Sequence, residues 1–160
     1  MNLFGVMEIA GSALGAERLR AEVVASNMAN LETTHTPGGG PYRRRLTVFR
    51  AENASPFLFQ LASFSPSSAA LTGTALTGTA LGRVPGGVRI AKVVTDTSAP
   101  LRRYQPEHPD ADAAGYVAYP AVNPAEEMTD LLGAVRAYEL NASSVQAAKQ
   151  MIQQSIAILG

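Results

Sequence analysis

The stretch that decides the fold is residues 123–159, which read NPAEEMTDLLGAVRAYELNASSVQAAKQMIQQSIAIL. Apolar side chains recur along it in steps of four and three residues, and only Lys149 interrupts the series. A repeat that averages 3.5 residues keeps one seam of a helix against a partner helix along its whole length. We therefore expect a long helix that packs against another helix. The members of this C-terminal seam are Met128, Leu131, Val135, Tyr138, Ala142, Val145, Ile152, Ile156 and Leu159.

Local signals mark where this helix begins. Asn123 is a favoured N-cap residue, Pro124 suits the first helical position, and Glu126 stands where a capping box places its acid. From Pro124 to Leu159 the helix would extend for roughly 54 Å. That length is more typical of a coiled coil or a helix bundle than of an isolated globular domain.

The same repeat occurs at the N-terminus, where residues 3–31 also predict a helix. Gly5, Gly11 and Gly15 each cost about 1 kcal/mol relative to alanine, so this helix needs a partner to become ordered. Gly11 and Gly15 share a face, and they either admit a close backbone or are simply tolerated there. Only Glu17 interrupts the N-terminal seam, which consists of Leu3, Met7, Ala10, Leu14, Ala21, Val24, Met28 and Leu31.

Between the two helices the sequence predicts short strands and loops. Residues 32–41 are rich in glycine and proline and predict a loop, and Arg102–Pro109 predicts another. The three predicted strands are Tyr42–Arg50, Val88–Val94 and Gly115–Tyr119.

An insertion at about residues 51–87 has a different composition, rich in Ala, Ser, Thr, Gly and Pro. A five-residue repeat runs through Ala70–Thr74 and Ala75–Thr79. Such low complexity favours a flexible surface segment, and the alternative is a hairpin that orders against neighbouring molecules.

These patterns together predict an α+β fold with long terminal helices packed as a coiled coil or bundle and a small β-rich middle. We expect residues 1–31 and 124–160 to form an inner assembly domain. Residues 32–123 would form the middle region and would contain the insertion.

Composition excludes several classes of protein. Thirteen basic and thirteen acidic residues leave no net charge, which argues against a general nucleic-acid binder. The absence of cysteine excludes disulfides and thiolate metal sites. No apolar run is long enough to span a membrane, and the absence of Lys and Arg before Arg18 is unlike a secretory signal.

No pattern of catalytic or cofactor-binding residues is present. His35 and His108 are the only histidines, whereas a zinc site needs three or four ligands. Gly38–Gly40 are not followed by the lysine of a phosphate-binding loop, and no nucleophile elbow occurs. We therefore expect no catalytic, cofactor or metal site and no enzymatic activity.

Three blocks of sequence resemble a known family. Residues 25–33, ASNMANLET, resemble the Ser-Asn-x-Ala-Asn-x-x-Thr element that follows the first helix in the flagellar rod/hook axial proteins. Residues 41–49, PYRRRLTVF, resemble the next block of one branch. Residues 108–123, HPDADAAGYVAYPAVN, with EEM and RAYELN after them, are similar to the C-terminal half of the proximal rod subunit. The chain departs from the family at about residues 51–82, where the usual connection is shorter.

The resemblance implies a structural subunit of the flagellar basal-body rod, the drive shaft between the membrane ring and the hook. It implies export through the flagellar type III apparatus without a cleaved signal, followed by polymerisation in the periplasm. The implied partners are further copies, rod subunits of the FlgB, FlgF and FlgG types, and a FliE-type adaptor next to the membrane ring. Nucleic acid and direct membrane insertion are not implied.

The candidate assembly interface comprises the two seams together with Asn27 and Asn30 of the Ser-Asn-x-Ala-Asn element. Two alternatives remain at this stage. One is another flagellar axial protein, such as a different rod or hook-type subunit. The other is a non-flagellar helical adaptor whose N-terminal helix binds a membrane surface, although that helix carries few basic residues.

Overall fold

A computed structural model describes residues 3–52 and 86–159, and it confirms the α+β class. Most of the insertion, residues 53–85 with its five-residue repeat, lies outside the described residues. In chain order the described elements are α1 (Leu3–Ala29), β1 (Arg45–Glu52), β2 (Gly87–Thr95), β3 (Leu101–Tyr104), β4 (Tyr116–Tyr119) and α2 (Pro124–Leu159).

The start of α2 confirms the predicted cap. Asn123 Oδ1 accepts a hydrogen bond from Ala125 N at 3.1 Å, and Asn123 O accepts one from Glu127 N at 3.1 Å. The first bond satisfies a backbone donor that has no partner within the first turn, and the second is the first i→i+4 bond of the helix. The helix then runs from Pro124 to Leu159, as the sequence predicts.

The N-terminal helix ends two residues before its predicted end. After Ala29 the backbone continues as a turn, in which Asn30 N donates to Asn27 O at 3.3 Å and Thr33 N donates to Asn30 O at 3.2 Å. Leu31 therefore lies just beyond α1 rather than in its last turn.

The described strands form two two-stranded sheets, one of β1 with β2 and one of β3 with β4. In the second sheet the strands are antiparallel, with Leu101 opposite Tyr119 and Tyr104 opposite Tyr116. The predicted loop over Arg102–Pro109 is therefore wrong over Arg102–Tyr104, which lie in β3. This four-residue strand is exposed at every position and forms by pairing with β4, so no alternation of buried and exposed residues marks it in the sequence.

Strand β1 begins at Arg45, three residues after its predicted start, and extends to Glu52. Tyr42 lies before the strand because Tyr42 N donates to Thr33 O at 3.0 Å and the side chain is buried. Strands β2 and β4 lie within one residue of their predicted bounds.

Tertiary contacts divide the chain into two compact units, and both helices contribute to each. The described part of the first unit is residues 3–16, 50–52, 86–89 and 138–159. There Ser12 Oγ accepts a hydrogen bond from Val88 N at 3.0 Å and donates to Ile9 O at 2.7 Å, which attaches the start of β2 to α1.

The second unit, residues 17–49 and 90–137, contains most of the buried side chains. Small side chains prevail in the core of the described residues, as the alanine-rich sequence suggests. The buried apolar residues of both units are Ala10, Ala16, Val24, Tyr42, Val117, Tyr119, Val122, Ala134 and Ala148.

Candidate assembly surface

Asn27 is the centre of a buried polar network in the second unit, with only 1% of its surface exposed. Its Nδ2 donates to Arg45 O and to Glu127 Oε2, both at 2.9 Å. Its Oδ1 accepts from Tyr42 OH at 3.0 Å and from Arg45 N at 2.9 Å. The amide thus uses both donors and both acceptor positions, and it joins α1 to β1, to the preceding loop and to α2.

Glu127 is the charged member of this network and is fully buried. Arg44 Nε donates to its Oε1, so the buried carboxylate has an opposite charge beside it. The same guanidinium lies 3.6 Å from Asp130 Oδ2 and 3.7 Å from Glu126 Oε2. Arg44 therefore holds three acidic side chains at the start of α2, and burial of Glu127 is tolerated because the charge is paired and hydrogen-bonded.

A second arginine fixes the direction in which the helices pass each other. Arg20 Nη2 donates to Asp130 Oδ1 at 3.2 Å, while Asn27 bonds Glu127. Arg20 precedes Asn27 in α1, whereas its partner Asp130 follows Glu127 in α2. In this unit the two helices are antiparallel.

Asn30 acts locally. Its Nδ2 donates to Ser26 O at 2.8 Å, and its Oδ1 accepts from Thr33 Oγ1 at 3.1 Å. These bonds close the turn that follows α1. The contacts of Asn27 and Asn30 thus lie within the chain, and their role in assembly stays a prediction.

Along much of α2, the residues that the chain buries come one position before the residues of the predicted seam. Glu127, Ala134 and Ala148 are buried, whereas Met128 and Val135 are 58% and 42% exposed. Of the predicted seam, Leu131, Ala142, Val145 and Ile152 are half-buried, and Tyr138 and Ile156 are exposed. The side chain of Leu159 lies outside the described residues.

In α1 and the turn after it, the predicted seam lies closer to the buried side. Ala10 and Val24 are buried. The side chain of Leu3 lies outside the described residues. The remaining members are half-buried, namely Met7, Leu14, Ala21, Met28 and Leu31.

The predicted seam omitted four exposed apolar residues of α2, namely Leu132, Leu140, Met151 and Ile158, and Leu132 lies next to the seam. Leu132 is 58% exposed and follows Met128 by four residues and precedes Val135 by three. These three side chains, which we call the α2 ridge, form a continuous apolar row on the side that the chain leaves open. The α2 ridge is therefore the candidate assembly surface of this helix. The helical spacing of Met128, Leu132 and Val135 is visible in the sequence. Only their exposure in the structure distinguishes this row from the predicted seam beside it.

His108 helps to order its own loop. His108 Nδ1 accepts a hydrogen bond from Asp110 N at 3.1 Å, and Thr34 Oγ1 donates to Asp110 Oδ2 at 2.7 Å. Among residues 3–52 and 86–159, no three His, Asp or Glu side chains are grouped so that they could hold a metal ion. Neither helix, over its described length, is long and apolar enough to cross a membrane.

Comparison with known proteins identifies similarity at both ends and along the whole chain. Residues 7–34 match the family model described as flagella basal body rod protein. Residues 113–158 match the model described as flagellar basal body rod FlgEFG protein C-terminal. These matches contain the network residue Asn27 and the α2 ridge.

Three relatives named flagellar basal-body rod protein FlgC align with almost the whole chain. The protein from Borreliella burgdorferi is 37% identical, and the alignment covers 99% of each chain. That from Bacillus subtilis is 33% identical with the same coverage. That from Salmonella typhimurium is 32% identical, over 99% of this chain and 98% of the relative.

Proposed function

The chain belongs to the FlgC family of flagellar basal-body rod proteins, and we propose that it builds the proximal rod by polymerising through its two terminal helices. It is a structural rod subunit of the flagellar basal body. The family follows from 37% identity along almost the full length of both chains. The route of polymerisation is inferred from the surface of α2.

The observation that carries this route is the exposure of the α2 ridge. Met128, Leu132 and Val135 follow one another at helical spacing, and each leaves 42% or more of its surface in solvent in the single chain. Burial of apolar side chains is the dominant favourable contribution to association. Contacts of this kind that repeat from copy to copy without closing a ring generate a helical filament, which is the geometry of a rod.

We assign the chain no catalytic role. The buried ionisable group Glu127 is paired with Arg44 and bonded to Asn27, so it links structural elements instead of facing a substrate. Residues 1–31 and 124–160 would form the inner assembly domain, and residues 32–123 the β-rich middle region.

The partners would be further copies of the chain and other rod subunits, of the FlgB, FlgF and FlgG types. A FliE-type adaptor would connect the rod to the membrane ring. The chain would reach the periplasm through the flagellar type III export apparatus and assemble there. In this proposal the apolar side of the terminal helix is covered only in the rod. The subunit would therefore be exported as a single chain and become fully ordered when it assembles.

Substitution in the ridge tests this function in cells. The chromosomal gene would be replaced by one that encodes Val135→Asp. We expect this variant to abolish rod assembly and motility, because it places a charge where a neighbouring subunit must pack. Ser144→Asp is the matched control, since it adds the same charge at an exposed position of the same helix away from the ridge. Circular dichroism of the purified chains should show equal helix content. Motile cells that carry Val135→Asp would contradict the proposal.

A further inference from the structure

The side of α1 that faces solvent has its own regular composition. Its residues follow one another in steps of four and three, and all of them are exposed. Nothing lies within 4 Å of the position that a Cβ would occupy at Gly11 or Gly15. This α1 outer stripe consists of Phe4, Glu8, Gly11, Gly15, Arg18, Glu22, Ala25 and Ala29.

The α2 ridge continues toward the C-terminus with charged residues. One turn after Val135 the same row reaches Glu139, and Arg136 stands directly beside the row. Both charged side chains belong to exposed residues. The row therefore begins with the α2 ridge and is followed by the oppositely charged residues Arg136 and Glu139.

The direction of the helices limits how two copies can meet. In the second unit α1 and α2 are antiparallel, as the Asn27–Glu127 and Arg20–Asp130 bonds require. Rotation about the axis of a helical array and translation along it leave the direction of each helix relative to that axis unchanged. Hence α1 of one copy would also run antiparallel to α2 of the next copy.

An antiparallel alignment makes the two surfaces complementary where the start of α2 meets the end of α1. When Met128 is set opposite Ala29, Leu132 falls opposite Ala25, because both rows step by four residues there. Bulky side chains thus meet small ones, which is how ridges of one helix enter the grooves of another.

The charges match in the same register. Arg18 falls opposite Glu139, and Glu22 falls opposite Val135, one position from Arg136. Arg18 Nε already lies 2.9 Å from Glu22 Oε1 along α1, so the four charges would alternate in sign around one cluster.

We propose that the α2 ridge of one copy packs on the α1 outer stripe of a second copy of this chain in this register. The inference rests on the proposed function and adds to it the partner and the alignment. Because each copy carries both halves of the contact on different helices, the contact is head-to-tail and continues from copy to copy.

Cysteine cross-linking tests the register directly, since the chain contains no cysteine of its own. Cells would express Ala25→Cys combined with Leu132→Cys, and isolated basal bodies would be oxidised. A disulfide requires Cα atoms within about 7 Å, which facing positions of packed helices satisfy. We expect the monomer band to shift to a ladder of cross-linked multimers.

The matched control combines Ala25→Cys with Ser144→Cys, which lies away from the ridge, and it should remain monomeric. A mixture of the two single variants should give dimers and no higher bands. Basal bodies that contain the double variant as monomer only, or joined to a different rod subunit, would overturn the inference while leaving the proposed function intact. Absence of the unsubstituted chain from basal bodies would overturn both.

Charge reversal provides a second measurement. Glu22→Arg and Arg136→Glu should each reduce the swarming diameter, because each places like charges opposite one another between copies. Together they restore opposite charges, so the double variant should swarm further than either single variant. A double variant as impaired as the sum of the two would overturn the alignment.

Discussion

Asn27 Nδ2 lies 2.9 Å from Glu127 Oε2, so an amide near the end of α1 is bonded to a carboxylate one hundred positions later at the start of α2. Both residues are buried, at 1% and 0% exposure. The bond joins the two terminal helices, and the Asn27 amide has all its hydrogen-bonding positions satisfied. A role in holding the helices of one subunit together thus accounts for an asparagine within the Ser-Asn-x-Ala-Asn element.

Removal of this amide should destabilise the subunit strongly. Asn27→Ala leaves Arg45 N and O, Tyr42 OH and Glu127 with one bond fewer each, and we expect a loss of about 3 kcal/mol in the free energy of unfolding. Asn30→Ala is the matched control and removes only two local bonds, for a loss of about 1 kcal/mol. Urea unfolding followed by circular dichroism measures both, and equal losses would contradict the central role of Asn27.

Arg44 should be required because it pairs with a buried charge. Arg44→Ala leaves the Glu127 carboxylate buried without its opposite charge, which costs about 4 kcal/mol. The neighbouring, exposed Arg43→Ala should change stability by no more than about 0.5 kcal/mol. Addition of Glu127→Gln to Arg44→Ala should restore part of the loss, since the orphaned charge is then absent. No recovery in urea unfolding would indicate that Arg44 acts through packing instead.

Gly115 is expected to resist substitution for two reasons. Its φ is +80°, and a Cβ there would lie 2.8 Å from Tyr104 Cε2. Gly115→Ala should therefore reduce stability by about 2 kcal/mol. Gly133→Ala, in α2 with nothing within 4 Å, should instead add up to about 1 kcal/mol through helix propensity. The two variants should shift the thermal midpoint in opposite directions, and shifts of the same sign would refute this explanation.

Asp112 should contribute to the dependence of stability on pH. Its Oδ1 accepts hydrogen bonds from Tyr116 N and Ala114 N, both at 2.9 Å, and these lower the pKa of the carboxyl below its ordinary 3.8. Since the folded-state pKa lies below the unfolded one, this stabilisation is present above about pH 4 and is lost as pH falls through the folded value. An NMR titration should give a midpoint for Asp112 below 3.8, and a midpoint at or above it would exclude these bonds in solution.

Local signals were sufficient to predict the long helices. The N-cap of Asn123 and the proline after it set the start of α2 to the residue, because their effect is confined to one turn. Strand β3 was missed since its evidence lies elsewhere in the chain. Leu101–Tyr104 becomes a strand by pairing with Tyr116–Tyr119.

The buried network could not be predicted for a related reason. Asn27 was recognised from its sequence element, but its partners Arg45 and Glu127 come from distant segments. A charged residue such as Glu127 gives no hydrophobic signal. The sequence therefore predicts Met128 as the buried residue, whereas the structure buries Glu127, one position earlier. Leu132 was omitted because the predicted seam steps from Met128 to Leu131, although Leu132 lies on the exposed apolar row.

The central claim is that the α2 ridge is open in the free subunit and covered in the rod. Val135→Cys introduces the only thiol of the chain at a position that is 42% exposed. A maleimide reagent should label this thiol in the purified subunit, leave it unlabelled in intact basal bodies, and label it again after the basal bodies are dissociated in guanidinium. Equal labelling of the free subunit and the intact basal body would contradict the account.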